Sequence, residues 1–323
     1  MLALPPAGGP IRVAFLLVDA FSLVPFVAAV EPMRMANRIA RREVFAWRLL
    51  SETGAPVQAI NGMRMVADGR ADEAADFPNV VVTSGFEPRT VSPRWLLRVL
   101  RAAARRGATL GALGTGTFHL ARAGQLAGRR ATVHWEYAAA FEKEFPGVRC
   151  TGSLFEVDSD RMTCCGGTAS LDMMLYLLGE QVGRNLAQAV SETFVYGRPR
   201  SPREVQKALL PIEASRAPVE LGAAVSMMQR ESERRVDVAR IARDVGVSRR
   251  QLQRLFARHL GKGPLAYANE LRLQRARSMV RHSGLDCREI AELCGFASPA
   301  SFSRAYRAAF GSPPLEDRRA GQP

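Results

Sequence analysis

Ile241-Ala-Arg-Asp-Val-Gly246-Val-Ser248, with Leu252, Leu255-Phe256 and Leu260-Gly261 behind it, is written a second time further along the chain. The second copy reads Ile290-Ala-Glu-Leu-Cys-Gly295-Phe-Ala-Ser298, with Phe302, Ala305-Tyr306 and Phe310-Gly311 behind it. It trails the first by 49 residues up to the glycine and by 50 after it, so it holds one extra turn residue. Each copy reads as a helix-turn-helix. Ala242 and Ala291 sit four positions before the glycine and let a second helix cross closely. Gly246 and Gly295 supply a turn conformation that side-chain-bearing residues resist. Ser248 and Ser298 are N-caps, and Pro299 suits a first helical position.

The apolar stripe of the first downstream helix is Leu252, Leu255 and Phe256, which turns Arg249, Arg250, Gln253, Arg254 and Arg258 outward. In the second, Phe302, Ala305 and Tyr306 face in, and Ser301, Ser303, Arg304 and Arg307 face out. With the caps Ser248 and Ser298, these are the candidate DNA-binding residues, because arginine and glutamine reach base edges and phosphates in a major groove. An arginine-rich helical bundle could show one such copy. Two copies with matched glycines, caps and core positions favour double-stranded DNA as the partner.

Gly295-Phe296-Ala-Ser298, Phe302-Ser303-Arg304-Ala-Tyr306-Arg307 and Phe310-Gly311-Ser312-Pro313 resemble the AraC/XylS-type DNA-binding domain over about the last hundred residues. The resemblance implies two helix-turn-helix units joined by a long helix. Pro264 to His282 suits that connector, with Leu265, Ala268, Leu271, Leu273, Ala276, Met279 and Val280 as its apolar face.

Charge agrees. Of a formal net charge of +14, +8 lies from Val219 onward, where 19 Lys and Arg stand against 11 Asp and Glu. That concentration favours a polyanion. At 323 residues the chain should hold two domains. Cys150, Cys164, Cys165, Cys287 and Cys294 have no metal-site spacing and read as reduced thiols in a cytoplasmic protein. No metal or cofactor is expected. Ile11 to Val18 is apolar but too short to span a bilayer, and no membrane partner is expected.

The N-terminal part alternates strands and helices. Strands are expected at Ile11–Val18, Arg48–Ser51, Val80–Thr83 and Thr109–Leu113, with a hairpin at Leu154–Val157 and Arg161–Cys164. Helices are expected at Phe26–Arg41, Pro93–Arg106, Thr117–Ala123, His134–Phe145, Thr168–Gly183 and Leu186–Val195. The alternation argues an α/β fold with a largely parallel sheet. An all-α domain with the two helix-turn-helix units follows it. The expected boundaries are 1–196 for the α/β domain, 197–217 for a linker with a short helix near Val205 to Leu210, and 218–323 for the DNA-binding domain. Helices Ser170–Leu178 and Leu186–Val195 either cover the sheet or form a dimer face.

The strand, Gly114-Thr115-Gly116 and helix junction is a sharp elbow of the kind that presents a nucleophile beside backbone N–H donors. Gly111-Ala-Leu-Gly-Thr-Gly116-Thr-Phe118-His-Leu-Ala121, then Ala131-Thr-Val-His134-Trp135, resembles the PfpI and class I glutamine-amidotransferase-like fold. That superfamily often has cysteine where this chain has Gly114. The acidic partner expected after the first strand is missing too. Thr115 could attack only if the fold brought His134 to it, since no general base is identifiable nearby in sequence, and Cys164 and Cys165 read as buried structural thiols.

Joined to an AraC-type domain, this half resembles the GlxA-type transcriptional regulators. The resemblance rests also on Val30-Glu31-Pro-Met-Arg34-Met-Ala-Asn37-Arg and Thr163-Cys-Cys-Gly166-Gly167-Thr-Ala-Ser-Leu-Asp172. It implies a sensor domain that kept an enzyme-like pocket and lost its chemistry, so no catalytic residue is assigned. The candidate effector site is Asp19, Ser84, Gly85, Phe86, Gly114, Thr115, Phe118, His134, Trp135, Gly167 and Thr168. Backbone N–H groups at Gly166-Gly167-Thr168 suit a carboxylate, and Trp135, Phe86 and Phe118 offer aromatic faces to a cation. The expected function is a ligand-responsive, sequence-specific transcriptional regulator sensing an amino-acid derivative or a quaternary amine. The competing readings are an amidase- or isomerase-like enzyme fused to a DNA-binding domain, and a nucleoid-type protein. A homodimer is expected, and RNA polymerase is a further candidate partner.

Overall fold

The computed structural model describes residues 1–5, 8–85, 92–202, 204, 206, 218–230, 236–283 and 285–320. The chain divides into two units, Met1–Gln206 and Lys207–Pro323.

In the first unit the elements are β1 (Ile11–Leu17), α1 (Leu23–Ala40), β2 (Phe45–Ser51), β3 (Val57–Gln58), β4 (Arg64–Met65), β5 (Gly69–Arg70) and β6 (Asn79–Thr83). There follow α2 (Arg94–Arg105), β7 (Thr109–Leu113), α3 (Gly116–Arg122), β8 (Arg130–Ala131), α4 (Ala138–Glu144), β9 (Arg149–Cys150), β10 (Phe155–Asp158) and β11 (Arg161–Cys164). Helices α5 (Ala169–Gln181) and α6 (Arg184–Thr193) complete it. The main sheet has the order β10-β11-β7-β6-β1-β2-β5, and only the β10/β11 pair is antiparallel.

Such a parallel sheet is buried on both faces, which is why β1 reads as an apolar run broken only by the exposed Arg12 near its start. Alternate residues serve opposite cores. Val13, Phe15 and Leu17 pack with Phe26 and Met33 of α1 and Met173 and Leu177 of α5. Ala14 and Leu16 pack with Leu96 and Leu100 of α2, Phe118 of α3 and Phe141 of α4. Helix α5 is therefore a sheet cover: Met173, Met174, Leu175, Leu177 and Leu178 are all buried. The expected helix over His134–Phe145 opens as a 3-10 turn, Trp135–Tyr137, before α4 begins.

The second unit has α7 (Val219–Arg230), α8 (Val238–Asp244), α9 (Arg249–Leu260), α10 (Pro264–His282), α11 (Cys287–Leu293), α12 (Pro299–Phe310) and α13 (Pro314–Ala320). Gly246 and Gly295 turn at φ +75° and +65°. Ala242 and Ala291 are buried at the helix crossings, as are Leu252, Phe256, Phe302 and Tyr306 on the recognition helices. Helix α10 packs on both pairs. Its apolar face holds Ala268, Leu273, Ala276, Met279 and Val280, but Leu265 is 48% exposed rather than buried. Leu265 occupies the second position of the first turn, beyond the reach of the core that Ala268 enters one turn later.

The expected linker begins differently from expectation. Tyr196 to Gln206 is tied by hydrogen bonds to the first unit, as described below, because it carries side chains that match buried acceptors there. The expected short helix at Val205 to Leu210 lies outside the described residues.

Candidate effector site and nucleic-acid interface

The elbow forms at the end of β7. Gly114 sits at φ +61°, the left-handed conformation that disfavours a side chain, and its N–H donates to Cys164 O at 2.9 Å. The neighbouring strand ends crowd around it. A Cβ on Gly166 would stand 3.3 Å from Gly114 Cα. Ser22 N–H donates to Ser84 O at 3.2 Å, which draws the end of β6 to the loop after β1. Gly85 is forced by contact: a Cβ there would lie 2.1 Å from the Ala20 carbonyl oxygen. The structure thus brings Gly85, Gly114 and Thr115 together, beside the loop that leads to Gly167 and Thr168. Asp19 lies exposed in the loop after β1. Phe86 lies outside the described residues.

Several side chains differ from their expected orientation. The Thr115 hydroxyl is buried and donates to Gly85 O, so it serves the loop rather than a substrate. Ser84 and His119 are both buried, and Ser84 Oγ meets His119 Nε2 at 3.2 Å, while His119 Nδ1 meets Ser92 Oγ at 2.6 Å. This Ser84–His119–Ser92 chain satisfies a buried imidazole and takes the Ser84 hydroxyl away from the elbow. Phe118 is a core residue, edge-on to Phe141 at 5.0 Å, because it falls on the inner face of α3. It is not an aromatic wall.

Trp135 and His134 remain partly accessible, with ring centroids 5.4 Å apart. His134 Nδ1 caps the following turn by accepting from Glu136 N–H, and burial lowers its pKa. Gly167 and Thr168 are exposed at the start of α5, and Thr168 makes no side-chain cap. The Cys165 thiol has its pKa raised by its hydrogen bond with Cys164 and by burial, which argues against a thiolate nucleophile.

At the other end of the chain, both recognition helices are fixed by capping boxes. Ser248 Oγ accepts from Gln251 N–H (3.2 Å), and Gln251 Oε1 accepts from Ser248 N–H (2.9 Å). In α12, Ser298 Oγ accepts from Ser301 N–H and Ser301 Oγ accepts from Ser298 N–H, each at 3.1 Å. Ser301 also donates to Ser298 O, so the hydroxyls of Ser298 and Ser301 are spent within the cap. Ser303 is half-buried. Arg249, Arg250, Gln253, Arg254 and Arg258 on α9, and Arg304 and Arg307 on α12, are exposed.

Two residues that sequence reading missed hold this surface. Arg272 of α10 is 8% exposed, donates from Nε to Cys294 O (2.8 Å) and from Nη2 to Gly295 O, and lies 4.5 Å over the Phe296 ring. It ties off the carbonyls at the end of α11. Asp317 of α13 is buried and accepts from Arg277 Nε (2.8 Å), Arg281 Nη2 (2.6 Å) and Tyr306 Oη (2.6 Å).

Known proteins agree with both halves. Residues 11–180 match the DJ-1/PfpI family and residues 241–320 match the helix-turn-helix domain family. The chain is 40% identical over 319 residues to the HTH-type transcriptional regulator GbdR of Pseudomonas aeruginosa, covering 99% of this chain and 87% of that one. It is 34% identical over 309 residues to the HTH-type transcriptional regulator GlxA of Rhizobium meliloti, covering 95% of each. A crystal structure of an AraC family transcriptional regulator from Pseudomonas putida superposes with a TM-score of 0.53 at 31% identity, covering 57% of this chain and 100% of that one. The chain belongs to the GlxA/GbdR group of helix-turn-helix transcriptional regulators, built from a DJ-1/PfpI domain and an AraC-type DNA-binding domain.

Proposed function

We propose that this regulator binds a small zwitterion at its elbow and responds by altering its hold on promoter DNA. The carrying observation is Gly114 at φ +61°. The backbone there keeps the contour of an enzyme elbow, while the residue has no side chain to react. Among the described residues Gly114 carries no side chain and Thr115 Oγ is given to Gly85 O, which supports a domain that senses rather than catalyses. The start of α5 at Gly167 and Thr168 offers N–H groups to a carboxylate, and Trp135 offers a face to a cation. An amino-acid derivative or quaternary amine fits that pairing. Calorimetry of the full chain against a panel of amino acids and betaines should find one that binds, and Trp135→Ala should weaken it about 5- to 30-fold, the worth of a partly desolvated cation–π contact. Unchanged binding would remove Trp135 from the site.

On DNA, α9 and α12 should enter successive major grooves, roughly 34 Å apart. Arg249, Arg250, Gln253 and Arg254 read one half-site, with Arg258 toward the backbone. Arg304 and Arg307 read the other. Arg304→Ala should cost about 1–3 kcal/mol and relax preference at one base pair. A uniform loss across all operator variants would make Arg304 a phosphate contact, and a footprint confined to one groove would sink the two-unit reading. Homodimerisation, contact with RNA polymerase and a cytoplasmic location complete the proposal. Among the described residues no helix is long and apolar enough to cross a membrane.

A further inference from the structure

The stretch between Tyr196 and Gln206 is anchored at three points, and two of them fall on the walls of the candidate effector site. Tyr196 Oη donates to Asp172 Oδ1 at 3.0 Å. Arg200 donates its backbone N–H to the same oxygen at 2.7 Å, and Nε and Nη2 to Oδ2 at 2.9 and 2.6 Å. Its Nη2 also reaches Thr168 Oγ1 at 2.8 Å. Asp172 is 0% exposed. A carboxylate so placed has given up its water, and a cation held against it offsets that cost. Burial opposes the Arg200 cation, but Asp172 outweighs that and raises the guanidinium pKa.

Further on, Leu154 N–H donates to Glu204 O at 3.1 Å and Gln206 N–H to Gly152 O at 2.7 Å, a strand-like seam. The Gln206 side chain then closes on the segment that leads to the Trp135–Tyr137 turn. Its Oε1 accepts from the Trp135 backbone N–H at 2.8 Å. Its Nε2 lies within 3.1 Å of Thr132 Oγ1, Val133 O and Ser153 O. The next residue, Lys207, opens the second unit.

We propose that Arg200 and Gln206 are positioning residues of the effector site, through which its occupancy sets how the chain enters the DNA-binding unit. The inference rests on the effector-site reading, since Thr168 and Trp135 are the residues these two hold. The anchors are unequal. Arg200 is a charge-assisted grip on a buried partner, with Nε and Nη2 both on Oδ2 and the backbone N–H on Oδ1, the strong kind. Gln206 makes only neutral hydrogen bonds, each of modest net worth in water. A ligand that shifts the backbone at Trp135 therefore loosens Gln206 first, while Arg200 stays as the pivot. The Gln206 hold is then made or broken while the Arg200 hold persists, two states whose balance the ligand biases.

The test uses the full chain and an operator fragment that the wild-type protein recovers from genomic DNA. Operator affinity without ligand and the melting midpoint are measured for wild type and Gln206→Ala. The expected result is an operator affinity shifted at least tenfold, at a temperature where both proteins are fully folded by circular dichroism. A merely structural role would lower the midpoint and leave affinity below the transition unchanged; an affinity within twofold of wild type overturns the inference. If Gln206→Ala fails to fold, Gln206→Glu keeps the acceptor for Trp135 N–H, loses the Nε2 donors, and is read by the same criterion. Arg200→Lys keeps a cation beside Asp172 and should lie within threefold of wild type, whereas Arg200→Gln should not; equal behaviour of the two also overturns it. The site reading fails separately: if Trp135→Ala binds every member of the amino-acid and betaine panel as wild type does, neither residue positions an effector site, whatever Gln206→Ala does to operator affinity.

Discussion

Asp317→Ala should destabilise the second helix-turn-helix unit by about 3 kcal/mol and remove specific operator binding at 37 °C. The expectation follows from what Asp317 holds. Its buried carboxylate joins Arg277 and Arg281 of α10 to Tyr306 of α12, so it fixes the recognition helix on its support. Alanine leaves two guanidinium groups facing each other and a buried phenol without its acceptor. Breaking a buried ion pair costs about 3–5 kcal/mol, and the lower end applies because both arginine side chains are 36% exposed. Asp317→Asn should be milder, since an amide oxygen still accepts. The same group sets an acid limit. Burial pushes the Asp317 carboxyl up, but the bonds from Arg281, Arg277 and Tyr306 outweigh it and hold it well below the usual carboxylate range. A depressed folded pKa means stability that is fully present above the unfolded value, about 3.9, and is lost as pH falls below it toward the folded pKa. Denaturant titrations of wild type and Asp317→Asn at pH 7 and pH 3 should therefore converge as pH drops. A difference that stays constant would mean that the charge on Asp317 contributes nothing.

Gly85→Ala should cost about 3 kcal/mol or more and yield mostly insoluble protein. One methyl group is enough because the nearest atom is backbone: the new Cβ would sit 2.1 Å from Ala20 O. Backbone cannot rotate away as a side-chain tip can, so the end of β6 must part from the loop after β1, which overpacks and strains a core junction. The separation would also break the acceptor position of Gly85 O for Thr115 Oγ. Soluble expression and thermal melting against Gly147→Ala, whose glycine has open space where a Cβ would stand and no positive φ, would measure the effect. Equal behaviour of the two would contradict the close approach.

Periodicity made the architecture legible. The apolar run Ile11–Val18, the run Val80–Thr83 and the doubled pattern around Gly246 and Gly295 each require one kind of element. The side-chain pairings were not legible because they are made between residues far apart in the chain. Ser84 looks like a site hydroxyl until His119, 35 residues on, is seen to bond it. Phe118 looks like an exposed ring until the face of α3 is known. Arg200-Ser-Pro reads as linker because proline and arginine suit solvent, and nothing local announces that Asp172 is buried and waiting for a cation. Thr115 failed as a nucleophile for the same kind of reason, since its acceptor, Gly85 O, arrives from another strand.

Helix α10 belongs to both helix-turn-helix units at once. Nineteen residues of helix extend about 28 Å, and a helix this short has no hinge of its own unless a glycine or proline interrupts it. None does after Pro264. If α9 and α12 read two half-sites as proposed, the protein should be tolerant of operator drift in one direction and intolerant in another. Point changes within a half-site each cost a contact and can accumulate gradually, whereas a single inserted base pair between half-sites turns one of them about 34° away from its reader, one part in about ten of a helical turn. Promoters answering to this regulator should differ in bases and agree in spacing, and an ancestral promoter could be captured by base substitutions alone only if its two half-sites already stood at the right phase.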